Sequence, residues 1–127
     1  MAKKEGSVMN NDDSQRPSIV VGLKNGTTIP DSAKPLFYGI EEEQIPVSVR
    51  KINIDGAIER AYQSALASRL SVGIAFEGDH FIVHYKNLKE EHPLFDMTVD
   101  DRKQLRILGA NAARLVKGIP FKEIANR

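Results

Sequence analysis

Three adjacent carboxylates, Glu41-Glu42-Glu43, follow Leu36, Phe37 and Ile40, whose spacing is that of one helical face. The C-terminal end of a helix carries free carbonyls and the negative pole of the macrodipole, so each carboxylate there is disfavoured by roughly 0.3–1 kcal/mol. Such a cluster calls for a counter-cation, and two kinds fit: Arg or Lys side chains, or a divalent metal. Carboxylate oxygen is a hard ligand suited to Mg²⁺ or Ca²⁺. A plainly solvated helix end is the alternative. His80, His84 and His92 are the only other nitrogens able to bind a metal. On a strand, His80 and His84 share a face with Ile82 between them, too far apart to chelate easily, and no carboxylate–histidine cluster at ligand spacing accompanies them. They read as hydrogen-bonded strand residues.

Arg102, Lys103, Arg106, Arg114 and Lys117 give the last helix a basic face, which by itself reads as solvated. Gly109, Ala110, Ala112 and Ala113 in the same helix say more. Glycine inside a helix costs about 1 kcal/mol, so something packs closely there, either the sheet or another chain. Motifs for autonomous catalysis are missing. Gly22-Leu23-Lys24-Asn25-Gly26-Thr27 lacks the Gly-Lys-Ser/Thr ending of a phosphate loop, and the chain has no Gly-x-Gly-x-x-Gly turn and no Gly-x-Ser-x-Gly elbow. No nucleophile, base and orienting residue come together, so the chain reads as a non-enzyme with no catalytic residue and no cofactor of its own.

Composition narrows the class further. With 127 residues, 41% of them hydrophobic, the chain suits one domain with one core. The balance of 18 basic and 17 acidic residues leaves a net charge of +1, and aromatics are only 6%; this argues against nucleic-acid or anionic-membrane partners. The absence of Cys excludes a disulfide frame, thiolate metal ligands and a Cys nucleophile. No apolar run approaches the roughly 18 residues of a membrane span. Met1-Ala2-Lys3-Lys4-Glu5-Gly6 leads into polar residues rather than a signal peptide's apolar stretch. The expectation is a soluble cytoplasmic protein.

The elements that must position these residues follow from the patterning. Residues 1–17 have almost nothing to bury and are expected to form a disordered polar tail, leaving 18–127 as a single α/β domain. Ile19–Leu23 is a β-rich apolar run, a strand buried on both faces. After a loop over 24–30, Asp31 or Ser32 is expected to cap a helix running to about Glu43, with Pro35 in its first turn. Ile45–Arg50 alternates as a strand. Asp55 is expected to cap a second helix with Ile58, Ala61, Ala65 and Leu66 on its apolar face, ending near Arg69. Val72–Phe76 and Phe81–Tyr85 are too close for a crossover and should pair antiparallel. Pro93–Met97 reads as a short edge strand, and Thr98 with Asp101 as a capping box. Val99, Leu105, Leu108, Ala112 and Leu115 give the final helix its stripe, stopped by Gly118 and Pro120. The sum is a three-layer α/β/α fold on a mostly parallel mixed sheet of four to five strands, one of them antiparallel.

Three blocks occur in order: Gly39-Ile40-Glu41-Glu42-Glu43-Gln44-Ile45-Pro46, Val83-His84-Tyr85-Lys86-Asn87-Leu88, and Asn111-Ala112-Ala113-Arg114-Leu115-Val116-Lys117-Gly118-Ile119-Pro120-Phe121. Together they resemble the small subunit of the diol/glycerol dehydratase-reactivating factor, over most of residues 18–121. The resemblance implies a fold like that of the medium subunit of the adenosylcobalamin-dependent dehydratase. It implies a large, actin-like partner subunit that binds and hydrolyses ATP, leaving ADP. It also implies a chaperone-like activity that frees damaged cobalamin from inactivated dehydratase by trading places with a dehydratase subunit. Glu42 matches the family glutamate that reaches across the interface to Mg²⁺ or Ca²⁺ held mainly by the large subunit. The block around His84 is assigned to a sheet edge and interface. A cytoplasmic location follows, with a bacterial microcompartment for propanediol utilization as one setting. The polar tail is longer than the family's, and Phe37 and Gln44 depart from its pattern without touching the ligand position. Two other classes remain open at this level: part of the dehydratase itself, against which the short length argues, and a small RNA-binding α/β module, against which charge and aromatic content argue.

Overall fold

A computed structural model of the chain describes residues 16–125. The polar tail expected over 1–17 therefore lies outside the described residues, apart from Arg16 and Pro17. The elements in order are β1 (Ile19–Leu23), a 3-10 turn (Asp31–Ala33), α1 (Lys34–Glu42), β2 (Val47–Lys51), α2 (Ala57–Ala67), β3 (Val72–Glu77), β4 (His80–Tyr85), β5 (Phe95–Thr98) and α3 (Arg102–Lys117). The strands form one sheet in the order β2-β1-β3-β4-β5. β1 is parallel to β2 and β3, while β4 is antiparallel to β3 and β5, so β4 alone runs against the other four. No helix among the described residues is long and apolar enough to cross a membrane.

Alternation along the strands builds two cores of different thickness. Ile19, Val21, Val72, Ile74, Phe81 and Val83 point to one face and pack with Leu36 and Ile40 of α1 and Leu105, Leu108 and Ala112 of α3. On the other face Ala75 and Ile82 meet Ala61 of α2 in a small second cluster. The result is helix, sheet, helix, the three layers expected. The second layer is thin because α2 rides directly on the sheet backbone: a Cβ on Gly73 would lie 2.1 Å from the Ala65 nitrogen. The inner face of α2 is accordingly Arg60, Ala61, Ser64 and Ala65, and Leu66, expected on it, is 43% exposed.

Helix starts are where the expectations fail. Neither Asp31 nor Ser32 caps α1; the 3-10 turn leads straight into it, and Asp31 pairs with Lys34 at 3.0 Å. Asp55 does not cap α2, whose N-cap is Gly56 without a side-chain bond. Thr98 and Asp101 form no capping box; Asp101 is itself the N-cap of α3 and accepts from the Lys103 N–H at 2.9 Å. Boundaries shift too. α1 ends at Glu42, Gln44 takes a left-handed turn at φ 64°, and β2 begins only at Val47. The stop of α3 is as expected, Gly118 closing it at φ 70° with its N–H on the Arg114 and Leu115 carbonyls.

Candidate functional site: the acidic end of α1 against α3

The site is set by two glycines. α1 and α3 cross with their backbones in contact: a Cβ on Gly39 would lie 1.9 Å from the Arg106 carbonyl oxygen, and one on Gly109 would lie 2.0 Å from that of Leu36. The close packing anticipated for Gly109 is thus made by α1, neither by the sheet nor by another chain. The crossing lays the last turn of α1 beside the middle of α3, and the acidic block falls among the cations of the basic face.

Glu43, at the C-cap of α1, is the better held. Its carboxylate accepts from Arg114 Nε at 3.1 Å and Lys117 Nζ at 2.7 Å, and Lys117 also donates to the Glu43 carbonyl at 3.1 Å. Lys117 therefore satisfies a free helix-end carbonyl and a carboxylate together, offsetting the adverse macrodipole. Glu42 is half exposed and receives Arg106 Nη2 on Oε2. Glu41 is exposed and makes no ion pair among the described residues. The counter-cation that the sequence demands is therefore, for two of the three carboxylates, the basic face of α3. That face is not simply solvated: Arg106, Arg114 and Lys117 turn to α1, while Arg102 and Lys103 stay exposed.

The cations hold the carboxylates ionised. Arg106 pulls the Glu42 carboxyl below the usual glutamate value, and Lys117, followed by Arg114, does the same to Glu43. Glu77 is lowered likewise, by Lys24 and then Arg60. A lowered folded-state pKa stabilises fully above the unfolded value and is lost as pH falls through the folded one. Stability is therefore expected to be level near neutrality and to drop below about pH 4.5. Glu43→Gln should flatten that acid limb more than Glu42→Gln, because the pairs of Glu43 are less exposed. Urea unfolding from pH 6 to 3 measures this, and an acid limb unchanged in Glu43→Gln would contradict it.

The histidines stay apart. His84 is fully buried on β4 and edge-on to Tyr62, with ring centroids 5.0 Å apart. Its Nδ1 accepts the Tyr85 N–H at 3.0 Å and its Nε2 donates to the Glu90 carbonyl at 2.8 Å. It pins the loop after β4, and since β4 lies between β3 and β5 the expected placing of this block at a sheet edge is corrected. His80 bonds Asp96 through Nε2 at 2.5 Å. Both are hydrogen-bonded strand residues, as read. Among the described residues no group of three or more His, Asp or Glu is arranged to hold a metal.

Two residues have a structural role that the sequence reading does not assign them. Arg60 is 2% exposed and donates to the carbonyls of Gly22, Ile54, Asp55 and Phe76 and to the Glu77 carboxylate. Asn111 is fully buried and pairs with Lys122 as a backbone would, donating to its carbonyl at 2.9 Å and accepting its N–H at 2.7 Å. With Arg114 Nη1 on the Pro120 carbonyl, this straps the segment after α3 back along the helix. Lys122 thereby joins Glu42, Lys103, Arg106 and Ile107 around an open cleft of about 330 Å³.

Comparison with known proteins agrees with this fold. The family model described as dehydratase medium subunit matches residues 16–122. The propanediol dehydratase-reactivating factor small subunit of Citrobacter freundii is 43% identical over 108 residues, covering 84% of this chain and 91% of that protein. A solved structure of diol dehydratase-reactivating factor complexed with ADP and Mg²⁺ contains a chain 38% identical, with a TM-score of 0.77 over 85% of this chain and 99% of its own. A glycerol dehydratase reactivase chain follows at 29% identity and a TM-score of 0.76, over 85% and 98%. The chain belongs to the dehydratase medium-subunit family and, within it, to the small subunits of dehydratase-reactivating factors.

Proposed function

We propose that this chain works as the small subunit of a reactivating factor, pairing with a large subunit that binds and hydrolyses ATP. It acts on an adenosylcobalamin-dependent dehydratase whose cobalamin has been damaged, and it contributes surface rather than catalysis. The observation that carries the reading is double membership: the chain matches the medium-subunit family model and is similar over nearly their whole length to reactivating-factor small subunits. A subunit sharing the fold of the dehydratase's medium subunit can take its place against the dehydratase, opening a route for the damaged cofactor to leave. Competition of this kind obeys mass action, so exchange depends on the concentrations of both subunits. The higher identity to the diol than to the glycerol factor favours a diol as the substrate of the client enzyme.

Glu42 is proposed as this chain's contribution to a Mg²⁺ or Ca²⁺ site at the interface with the large subunit. The donor chemistry fits: a hard, ionised, half-exposed carboxylate whose Oε1 is without a partner among the described residues. It is a single ligand, so the large subunit supplies the rest and the metal would join the two chains. A divalent cation there would supply charge neutralisation between carboxylates of the two chains; this chain's part would be to present Glu42 at the end of α1. Within the cell we place the complex in the cytoplasm, with its client in a microcompartment where that compartment exists.

The test is native mass spectrometry of the complete factor mixed with inactivated dehydratase, ATP and Mg²⁺. Species containing this chain bound to the dehydratase large subunit are expected. Glu42→Gln keeps the volume and loses the charge; it should weaken Mg²⁺-dependent assembly with the reactivase large subunit about ten-fold or more, at least the loss seen when a partner supporting a metal ligand is removed, while leaving the chain folded. Assembly equal to the parent's would reject Glu42 as the ligand. A mixture in which no exchanged species ever forms would reject the exchange.

A further inference from the structure

We propose that the open cleft between the end of α1 and α3 is a receptor for carboxylates, docking an acidic segment of the large subunit onto Lys103, Arg106 and Lys122. This rests on the reading above that Glu42 faces the large subunit, and it gives the cations around Glu42 a role that needs no metal.

The cleft, about 330 Å³, is lined by these three cations, by Glu42 and by Ile107. One carboxylate among three cations leaves a local excess of positive charge, in a chain whose 18 basic and 17 acidic residues otherwise nearly cancel. Glu42 answers only part of that excess. Its Oε2 takes Arg106 Nη2, whereas Nε and Nη1 of the same guanidinium have no partner among the described residues. A planar fork with free donors, set in place by one carboxylate, suits a second. Neither Lys103 nor Lys122 makes an ion pair among the described residues.

The cations are gathered against their own repulsion. Lys103 stands in the first turn of α3, beside the positive pole of the macrodipole, and three residues before Arg106 on the same face. That turn holds no acidic residue to offset it. Lys122 comes from beyond α3, its backbone fixed there by two hydrogen bonds to the buried Asn111. It stands near enough that, after Arg106, it too lowers the Glu42 carboxyl. All three cations are exposed, so the packing of the core does not bring them together. An incoming anion relieves the repulsion and meets donors that already converge. The lining also sets the class of occupant. No aromatic ring lines the cleft, so a nucleic-acid base has nothing to stack on. A net charge of +1 gives the whole chain no pull on a polyanion. Side-chain carboxylates of a protein segment need neither.

The experiment measures the affinity of the full chain for the reactivase large subunit by sedimentation velocity, at saturating Mg²⁺, in low and in high salt. Lys103→Gln combined with Lys122→Gln is expected to weaken it about three- to ten-fold in low salt, the size of two exposed ion pairs, and much less in high salt. Arginine at both positions should keep the parent's affinity. The free glutamine variant should unfold at the parent's urea concentration or a higher one, because the charges removed only repelled their neighbours. A loss of assembly is then not a loss of fold. An unchanged affinity, or a loss that salt does not reduce, overturns the proposal. So does a variant that loses affinity for inorganic phosphate but not for the large subunit, which would make the cleft a small-anion site. Glu42→Gln, measured alongside, separates the two levels. If it assembles like the parent while the lysine variant weakens, the metal ligand fails and the receptor stands. If it weakens assembly and the lysine variant does not, the receptor fails and the ligand stands; if neither does, this end of α1 does not face the large subunit and both fail.

Discussion

Arg60→Met is expected to destabilise the chain by about 3–5 kcal/mol, the range found when one partner of a buried charged network is removed. The methionine fills much of the same volume, so the loss is one of hydrogen bonds rather than of packing. Four carbonyls, on Gly22, Ile54, Asp55 and Phe76, lose their donor. They lie at the ends of β1 and β3 and on the entry to α2, so the guanidinium joins three elements that are separate in sequence. Each carbonyl that water cannot reach costs about 1–3 kcal/mol, and those near the surface recover part of it. Glu77 matters less: it is 46% exposed and keeps Lys24 at 3.2 Å. Glu77→Gln should therefore cost under about 1 kcal/mol. Urea midpoints of the two variants decide the matter. Equal losses would mean that the ion pair, and not the carbonyl set, holds Arg60 in place.

Arg60 also marks where the sequence stops being legible. A charged residue between Ile58 and Ala61 reads as the solvent side of an amphipathic helix, because periodicity ranks residues by hydropathy and cannot see carbonyls converging from elsewhere in the chain. The strands were readable for the opposite reason. Ile19–Leu23 and Val72–Phe76 are continuous apolar runs that only a sheet covered on both faces can bury. The short link between β3 and β4 dictated their antiparallel pairing before any tertiary contact was known. Caps were misread because Asp31, Asp55 and Thr98 have the right chemistry at nearly the right place. The chain instead starts α1 from a 3-10 turn and α2 at Gly56. At the candidate site, the sequence showed that the acidic block needed cations and that α3 had them to give. That each answers the other depended on α1 and α3 meeting backbone to backbone, Gly39 against Arg106 and Gly109 against Leu36, contacts across about seventy positions that no local pattern contains.

Gly109→Ala is the sharpest test of that meeting, and a net loss of about 1–2 kcal/mol is expected. Two effects oppose each other. Alanine in mid-helix gains about 1 kcal/mol over glycine from backbone entropy alone. Against this, its Cβ would stand 2.0 Å from the Leu36 carbonyl oxygen, a main-chain atom that no rotamer change can clear. The helices must separate, and overpacking of this kind typically costs 1–3 kcal/mol, occasionally more. Gly39→Ala meets the same obstacle from the other side, at 1.9 Å from the Arg106 carbonyl oxygen. Gly56→Ala is the control, since nothing lies within 4 Å of its added Cβ; it should change stability by no more than about 1 kcal/mol, as a change at an exposed N-cap does. The crossing also sets the reach of Arg106 to Glu42 and of Lys117 to Glu43, so the acid limb of the stability profile should shrink in Gly109→Ala along with the midpoint. A variant as stable as the parent, with its acid limb intact, would show that α1 and α3 can part without cost and that the glycines do not fix the site.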